Sequence, residues 1–112
     1  MNSKTKRFGL PRSLILKKPS EIRQVLNQGL RRSGKYVNLY TFPAKERRFA
    51  VLVSRRLGKA TQRNRMKRLI REIYRLHPEW FENCLTVIYI KRFHDRFHEL
   101  QDEIKRLVEK SL

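Results

Sequence analysis

Between Arg55 and Arg75 the chain gathers Arg55, Arg56, Lys59, Arg63, Arg65, Lys67, Arg68, Arg71 and Arg75 around Asn64, against the single acid Glu72. Guanidinium groups grip phosphate through two parallel hydrogen bonds, so this density of arginine suits the holding of a polyanion rather than bond-breaking chemistry. An apolar rhythm runs beneath the charges. On a helical wheel Leu69, Ile70 and Ile73 fall within roughly 60° of Met66, while Asn64, Lys67, Arg68, Arg71 and Arg75 fall within about 80° of the opposite direction. The stripe from residue 64 to residue 75 is roughly 16 Å long, a length that follows several phosphates. A merely solvated face alternates its charges in i,i+4 pairs, and this one has only Glu72 to offer. Arginines at the helix start, where acids are normally favoured, add a reason to expect an external anion.

Other residues with chemical potential are scattered. His94 and His98 have an i,i+4 spacing with Asp95, Glu99 and Asp102 nearby, compatible with a divalent metal on a helix, yet a third ligand is missing and an exposed polar face accounts for them. His77 before Pro78 reads as a helix C-terminal cap. Cys84, the one cysteine, reads as a small core residue in a reducing compartment. Paired carboxylates, a Gly-rich phosphate loop and a Ser-His-Asp set are all lacking, so no protein metal site and no protein catalytic residue is expected.

A chain of 112 residues with 39% hydrophobic content makes one folded domain, here 1–112, with 1–18 as a basic, partly extended arm. Its net charge of +18 demands a polyanionic partner. The charge is uneven: residues 1–75 hold 22 Lys and Arg against 3 acids, and residues 76–112 hold 6 against 7. No apolar run reaches the roughly 18 residues of a membrane span and no signal segment opens the chain, so a soluble, cytoplasmic protein without a membrane partner is expected.

The elements that must position the stripe follow from periodicity. Pro19-Ser20-Glu21 opens a short helix with Ser20 as N-cap, carrying Ile22, Val25 and Leu26 and closed by Gly29. Residues 35–42 alternate, placing Tyr36, Asn38, Tyr40 and Phe42 on one face and Val37, Leu39 and Thr41 on the other. A polar turn leads to a second strand at 49–54, and the two are expected to pair as a hairpin. The basic helix, 61–76, comes next. A largely apolar strand at 85–90 should be central in the sheet, and a helix at 95–109 with Phe97, Leu100, Ile104, Leu107 and Val108 on one side should cover it. The class is α+β. A sheet presenting Tyr36, Asn38 and Tyr40 beside basic edges favours RNA over DNA, because a helix embedded between strands is not a helix-turn-helix; the alternative for this tyrosine face is ordinary packing under a neighbouring helix.

The run from Lys59 to Glu72, with its Arg63-Asn64-Arg65 core, is similar to the signature helix of the protein subunit of bacterial ribonuclease P. The likeness extends upstream through residues 51–58 and to the first helix with its terminal Gly29. The resemblance implies a compact α+β domain of ribosomal-protein domain 2-like type, with a central four-stranded mixed sheet, three helices and a left-handed βαβ crossover. General rules of chirality alone would favour the right-handed one. It also implies a catalytic RNA subunit as partner, one protein chain per RNA, and endonucleolytic removal of the 5′ leader of precursor tRNA with Mg2+ bound mainly by that RNA. By position, Arg55, Arg56, Lys59, Arg63, Asn64, Arg65, Lys67, Arg68 and Arg71 fall in the family's RNA-binding loop and helix, with Arg75 continuing the stripe. Tyr40 falls in the leader-binding cleft, with Tyr36 as neighbour. The family's first helix often offers two phenylalanines to that cleft, and here Ile22 and Leu26 stand in their places, replacing base stacking by apolar contact. The competing readings are a noncatalytic RNA-binding or ribosome-associated module and a protein-only nuclease using His94 and His98.

Overall fold

The structure is a computed structural model that describes residues 12–110. Helix α1 (Pro19–Gln28) leads into strands β1 (Leu30–Ser33), β2 (Val37–Pro43) and β3 (Arg48–Val53). Helix α2 (Ala60–Leu76), a 3-10 turn (Pro78–Trp80), strand β4 (Cys84–Ile90) and helix α3 (Phe97–Glu109) complete the domain. The four strands form one mixed sheet in the order β1-β2-β4-β3. β4 is antiparallel to β2 and parallel to β3, with Leu39 opposite Ile88 and Val51 opposite Ile88 on its other side.

This order overturns the expected hairpin. β2 and β3 are consecutive, but β4 lies between them, because a strand that is apolar on both faces is most stable with neighbours on both edges. The expectation that β4 is central is met. β1, a short strand with Arg31 and Arg32 at the sheet edge, has no alternating apolar signal to announce it, and charge is how such an edge is kept from pairing further.

Strand alternation divides the core in two. Val37, Leu39, Phe49, Ile88 and Ile90 meet Met66, Ile70, Ile73 and Tyr74 of α2 and Leu100, Ile104 and Leu107 of α3. Ala50, Leu85 and Val87 face the other way, toward Val25 of α1, with Ile22, Leu26, Tyr40, Phe42 and Leu52 packed around them. The end of the basic arm is docked on the sheet: Leu16 is buried and its N–H donates to Phe49 O at 2.8 Å. Phe8 and Leu10, and the rest of the arm before residue 12, lie outside the described residues. No helix among the described residues is long and apolar enough to cross a membrane.

Two helix starts differ from expectation. Ser20 lies inside α1, which begins at Pro19 with Lys18 as N-cap, since proline's fixed φ suits the first helical position. His94 precedes α3, which begins at Phe97, so His94 and His98 have no i,i+4 relation on a helix.

Gly29 ends α1 as expected, for a reason of space. A Cβ there would stand 2.4 Å from Val25 O and 2.7 Å from Thr41 O, both backbone atoms that cannot swing away. Gly29→Ala is therefore expected to push α1 off β2 and cost about 2 kcal/mol, read as a lowered denaturation midpoint. A midpoint unchanged from the parent would show that the helix end yields freely.

Candidate nucleic-acid interface

The interface begins where β3 ends. Leu57 is buried and its N–H donates to Ser54 O at 3.0 Å, while Ser54 Oγ accepts from Arg56 N–H at 3.2 Å. The tight turn is thus nailed down by Leu57 and leaves Arg55 and Arg56 projecting as exposed side chains. Gly58 follows with φ +62°, in the left-handed region, and a Cβ there would lie 1.9 Å from Gln62 Oε1. That oxygen accepts from Lys59 N–H at 3.3 Å, closing the first turn of α2, and Arg63 Nη1 donates to Gly58 O at 2.8 Å. Gly58→Ala carries a left-handed conformation for a residue with a Cβ together with this clash, so a loss of about 1 to 2 kcal/mol in stability is expected, along with weakened RNA binding through a displaced turn. Unchanged affinity for RNA in a folded Gly58→Ala variant would detach the turn from the interface.

On α2 the apolar stripe falls where the wheel puts it: Met66, Ile70 and Ile73 are fully buried and Leu69 is half-buried. Tyr74, which the wheel leaves at the stripe's margin, is fully buried as well and stacks on Phe49 with ring centroids 4.1 Å apart. The opposite face divides by partner. Arg65 Nε donates to Asp95 Oδ1 at 2.7 Å, and Arg75 Nε to Glu72 Oε1 at 3.0 Å. That hydrogen bond holds the Glu72 carboxyl below the usual carboxylate range and ties up part of the Arg75 charge. Asn64, Arg68 and Arg71 are exposed and Lys67 is half-buried. Among the described residues none of these four side chains has a hydrogen-bond or ion-pair partner. They present open donors on one side of a helix whose first turn contains no acid. Such an array suits a row of phosphate oxygens.

Sequence reasoning missed Asp95, which aims Arg65. Thirty residues separate the two, and no local pattern relates them.

The cleft residues are partly reunited. Ile22 and Leu26 of α1 pack with Tyr40, Phe42 and Leu52 over the second core. Tyr40 stands opposite Val87, which stands opposite Ala50, so its row crosses the sheet beneath α1. A cavity of about 160 Å³ lined by Ile22, Ala50, Leu52 and Arg71 joins this apolar floor to the cationic face of α2. Tyr36 is not brought to Tyr40. It precedes β2, packs against the core on the other side of the sheet and stacks on His94 at 4.0 Å, so its assignment to the cleft is corrected.

The remaining reactive groups are committed to structure. His94 Nε2 lies 2.6 Å from Glu99 Oε1, and the His98 ring meets Phe97 edge-on. His77 caps α2 as expected, its N–H donating to Ile73 O, while its ring stacks on Trp80 and its Nε2 lies 2.7 Å from Gln101 Oε1 of α3. Burial pushes the Cys84 thiol up, away from the reactive thiolate, and Sγ donates to Phe81 O. Among the described residues no three His, Cys, Asp or Glu side chains stand together as a metal-binding group.

Comparison with known proteins agrees with this geometry. The family model described as Ribonuclease P matches residues 10–111. The Ribonuclease P protein component of Dictyoglomus thermophilum is 31% identical over 111 residues, spanning 93% of this chain and 92% of that one. Its counterpart in Desulforamulus reducens is 38% identical over 79 residues, 69% of this chain and 70% of the relative. Among solved structures, the RNase P protein of Thermotoga maritima superposes with a TM-score of 0.75 at 20% identity, covering 85% of this chain and 94% of that one. The RNase P protein of Staphylococcus aureus gives 0.76 at 19% identity over 88% and 94%. These two likenesses bear on the fold alone. A basic helix with an open cationic face, the matching family model over residues 10–111 and the matching sequence relatives converge: the chain belongs to the ribonuclease P protein family.

Proposed function

We propose that this protein clamps the catalytic RNA subunit of ribonuclease P with the 55–59 turn and the open face of α2, and receives the 5′ leader of precursor tRNA in the cleft between α1 and the sheet. The observation that carries the reading is the set Asn64, Lys67, Arg68 and Arg71 on one helix face, unpartnered among the described residues and joined through the Arg71 cavity to Ile22 and Leu52. Arg55, Arg56, Lys59, Arg63, Arg65 and Arg75 widen the clamp. The RNA subunit carries out the cleavage, with Mg2+ bound mainly by that RNA, one protein chain serving each RNA. The protein's part in this reading is electrostatic. Its cations neutralise backbone phosphates that would otherwise repel one another, and release their counterions.

In the cleft, Tyr40 offers one aromatic face and Ile22 and Leu26 offer aliphatic surface. Stacking on a tyrosine contributes about 1 to 3 kcal/mol per base and tolerates any base. Tyr40→Ala is expected to weaken holoenzyme binding of precursor tRNA roughly tenfold while leaving binding of mature tRNA, which has no leader, unchanged. Equal weakening for both RNAs would place the leader elsewhere.

A further inference from the structure

Arg47, at the threshold of β3, is a cation that none of the proposed contacts uses. Its guanidinium carbon lies 4.7 Å from the centre of the Tyr74 ring, within the range of a cation–π contact. Tyr74 is itself locked, fully buried and in ring contact with Phe49 and Phe81. Burial pushes its hydroxyl up to about 12, against the opposing pull of the Arg47 charge, so the ring under Arg47 stays neutral throughout the physiological range. Arg47 Nη1 and Tyr74 Oη are both buried, with no hydrogen-bond partner beyond one another. Arg47 as a whole remains half-exposed, and among the described residues no carboxylate stands within ion-pair distance of it. Its neighbour Arg48 contrasts: Nη2 lies 3.1 Å from Glu21 Oε2, and its charge is spent on holding α1.

Position gives Arg47 its meaning. Tyr74 lies one turn beyond Arg71 on α2, a rise of roughly 4.5 Å, and Phe49 both stacks on Tyr74 and lines the cavity that Arg71 lines. Arg71 and Arg47 are thus linked through Phe49 and Tyr74 at the edge strand β3. A guanidinium already fixed on an aromatic ring loses little freedom when it meets a planar pair of acceptors, which favours phosphate over a diffuse counterion.

We propose that Arg47, immobilised on Tyr74, is a further RNA-phosphate contact that carries the cationic face of α2 across the edge of β3. The inference rests on the reading of α2 as an RNA clamp. The phosphate belongs either to the RNA subunit or to precursor tRNA, and two measurements separate them: the salt dependence of protein binding to the RNA subunit, and that of precursor tRNA binding to the reconstituted holoenzyme.

Arg47→Gln is expected to lower the slope of log affinity against log salt by roughly one in one of the two, naming the RNA concerned, and Arg47→Lys to restore most of it. Arg68→Ala serves as reference. Slopes unchanged by Arg47→Gln in both measurements, while Arg68→Ala lowers one, overturn the Arg47 contact alone. Slopes unchanged by Arg68→Ala as well overturn the clamp on which it rests. Should Arg47→Gln melt well below the parent, the lysine variant decides: a slope that falls equally with Arg47→Lys in a folded protein makes Arg47 a structural residue and overturns the proposal.

Discussion

Glu103→Ala is expected to destabilise the domain by about 3 kcal/mol, because it leaves backbone donors buried without an acceptor. For a domain of this size that corresponds to a fall in melting temperature of roughly 12 °C. Glu103 lies on α3, only 3% exposed, and its carboxylate accepts from the N–H groups of Lys35, Tyr36 and Val37 at 3.0, 2.8 and 3.0 Å. One side chain thereby replaces the strand ladder at the turn between β1 and β2 and fastens the last helix to the sheet. Gly34 is part of the same joint, since a Cβ there would come within 2.6 Å of Glu103 Oε2. Glu103→Gln, matched in size, keeps one acceptor oxygen but turns an NH2 group toward backbone donors, so a somewhat smaller loss is expected. A loss below about 1 kcal/mol in the alanine variant, measured by reversible denaturation, would mean that water satisfies these N–H groups and the joint is dispensable.

The second large effect concerns RNA. Arg68 and Arg71 are exposed and, among the described residues, have no hydrogen-bond or ion-pair partner, so replacing both by alanine is expected to leave the fold intact and remove two phosphate contacts. The expected result is a salt slope lower by about two, and an affinity for the RNA subunit roughly a hundredfold weaker at about 1.5 kcal/mol per charge-assisted contact. Arg75→Ala provides the contrast. Its guanidinium is shared with Glu72, so the slope should fall by clearly less than one. If Arg75→Ala matches Arg68→Ala, the division between free and engaged cations is wrong.

Much of this was legible in the sequence wherever the signal is local. The period of 3.6 in α2 located Met66, Ile70 and Ile73 beneath the charges, alternation located β2, and apolar β-rich runs located β3 and β4. Pairing order was not legible. Adjacent strands joined by a short polar turn look like a hairpin, and only the competition for a doubly apolar β4 puts that strand between them. Tyr36 shows the limit of alternation, which holds inside a strand and not at the residue before it. Glu103 did leave a trace: it lies three residues after Leu100 and four before Leu107, inside the apolar stripe of α3, where a carboxylate has to find donors. The charge count hid another feature, since the balanced last third of the chain supplies Asp95, whose task is to orient an arginine of the basic helix.

Cleavage of precursor tRNA followed across a magnesium titration, with the RNA subunit alone, the protein alone and the two together, tests most directly whether this protein is a clamp for another molecule's chemistry. Neutralisation of phosphates by the α2 face predicts that the protein lowers the magnesium concentration needed by the RNA subunit and cleaves nothing by itself. An unaltered magnesium requirement, or cleavage by the protein alone, would contradict it.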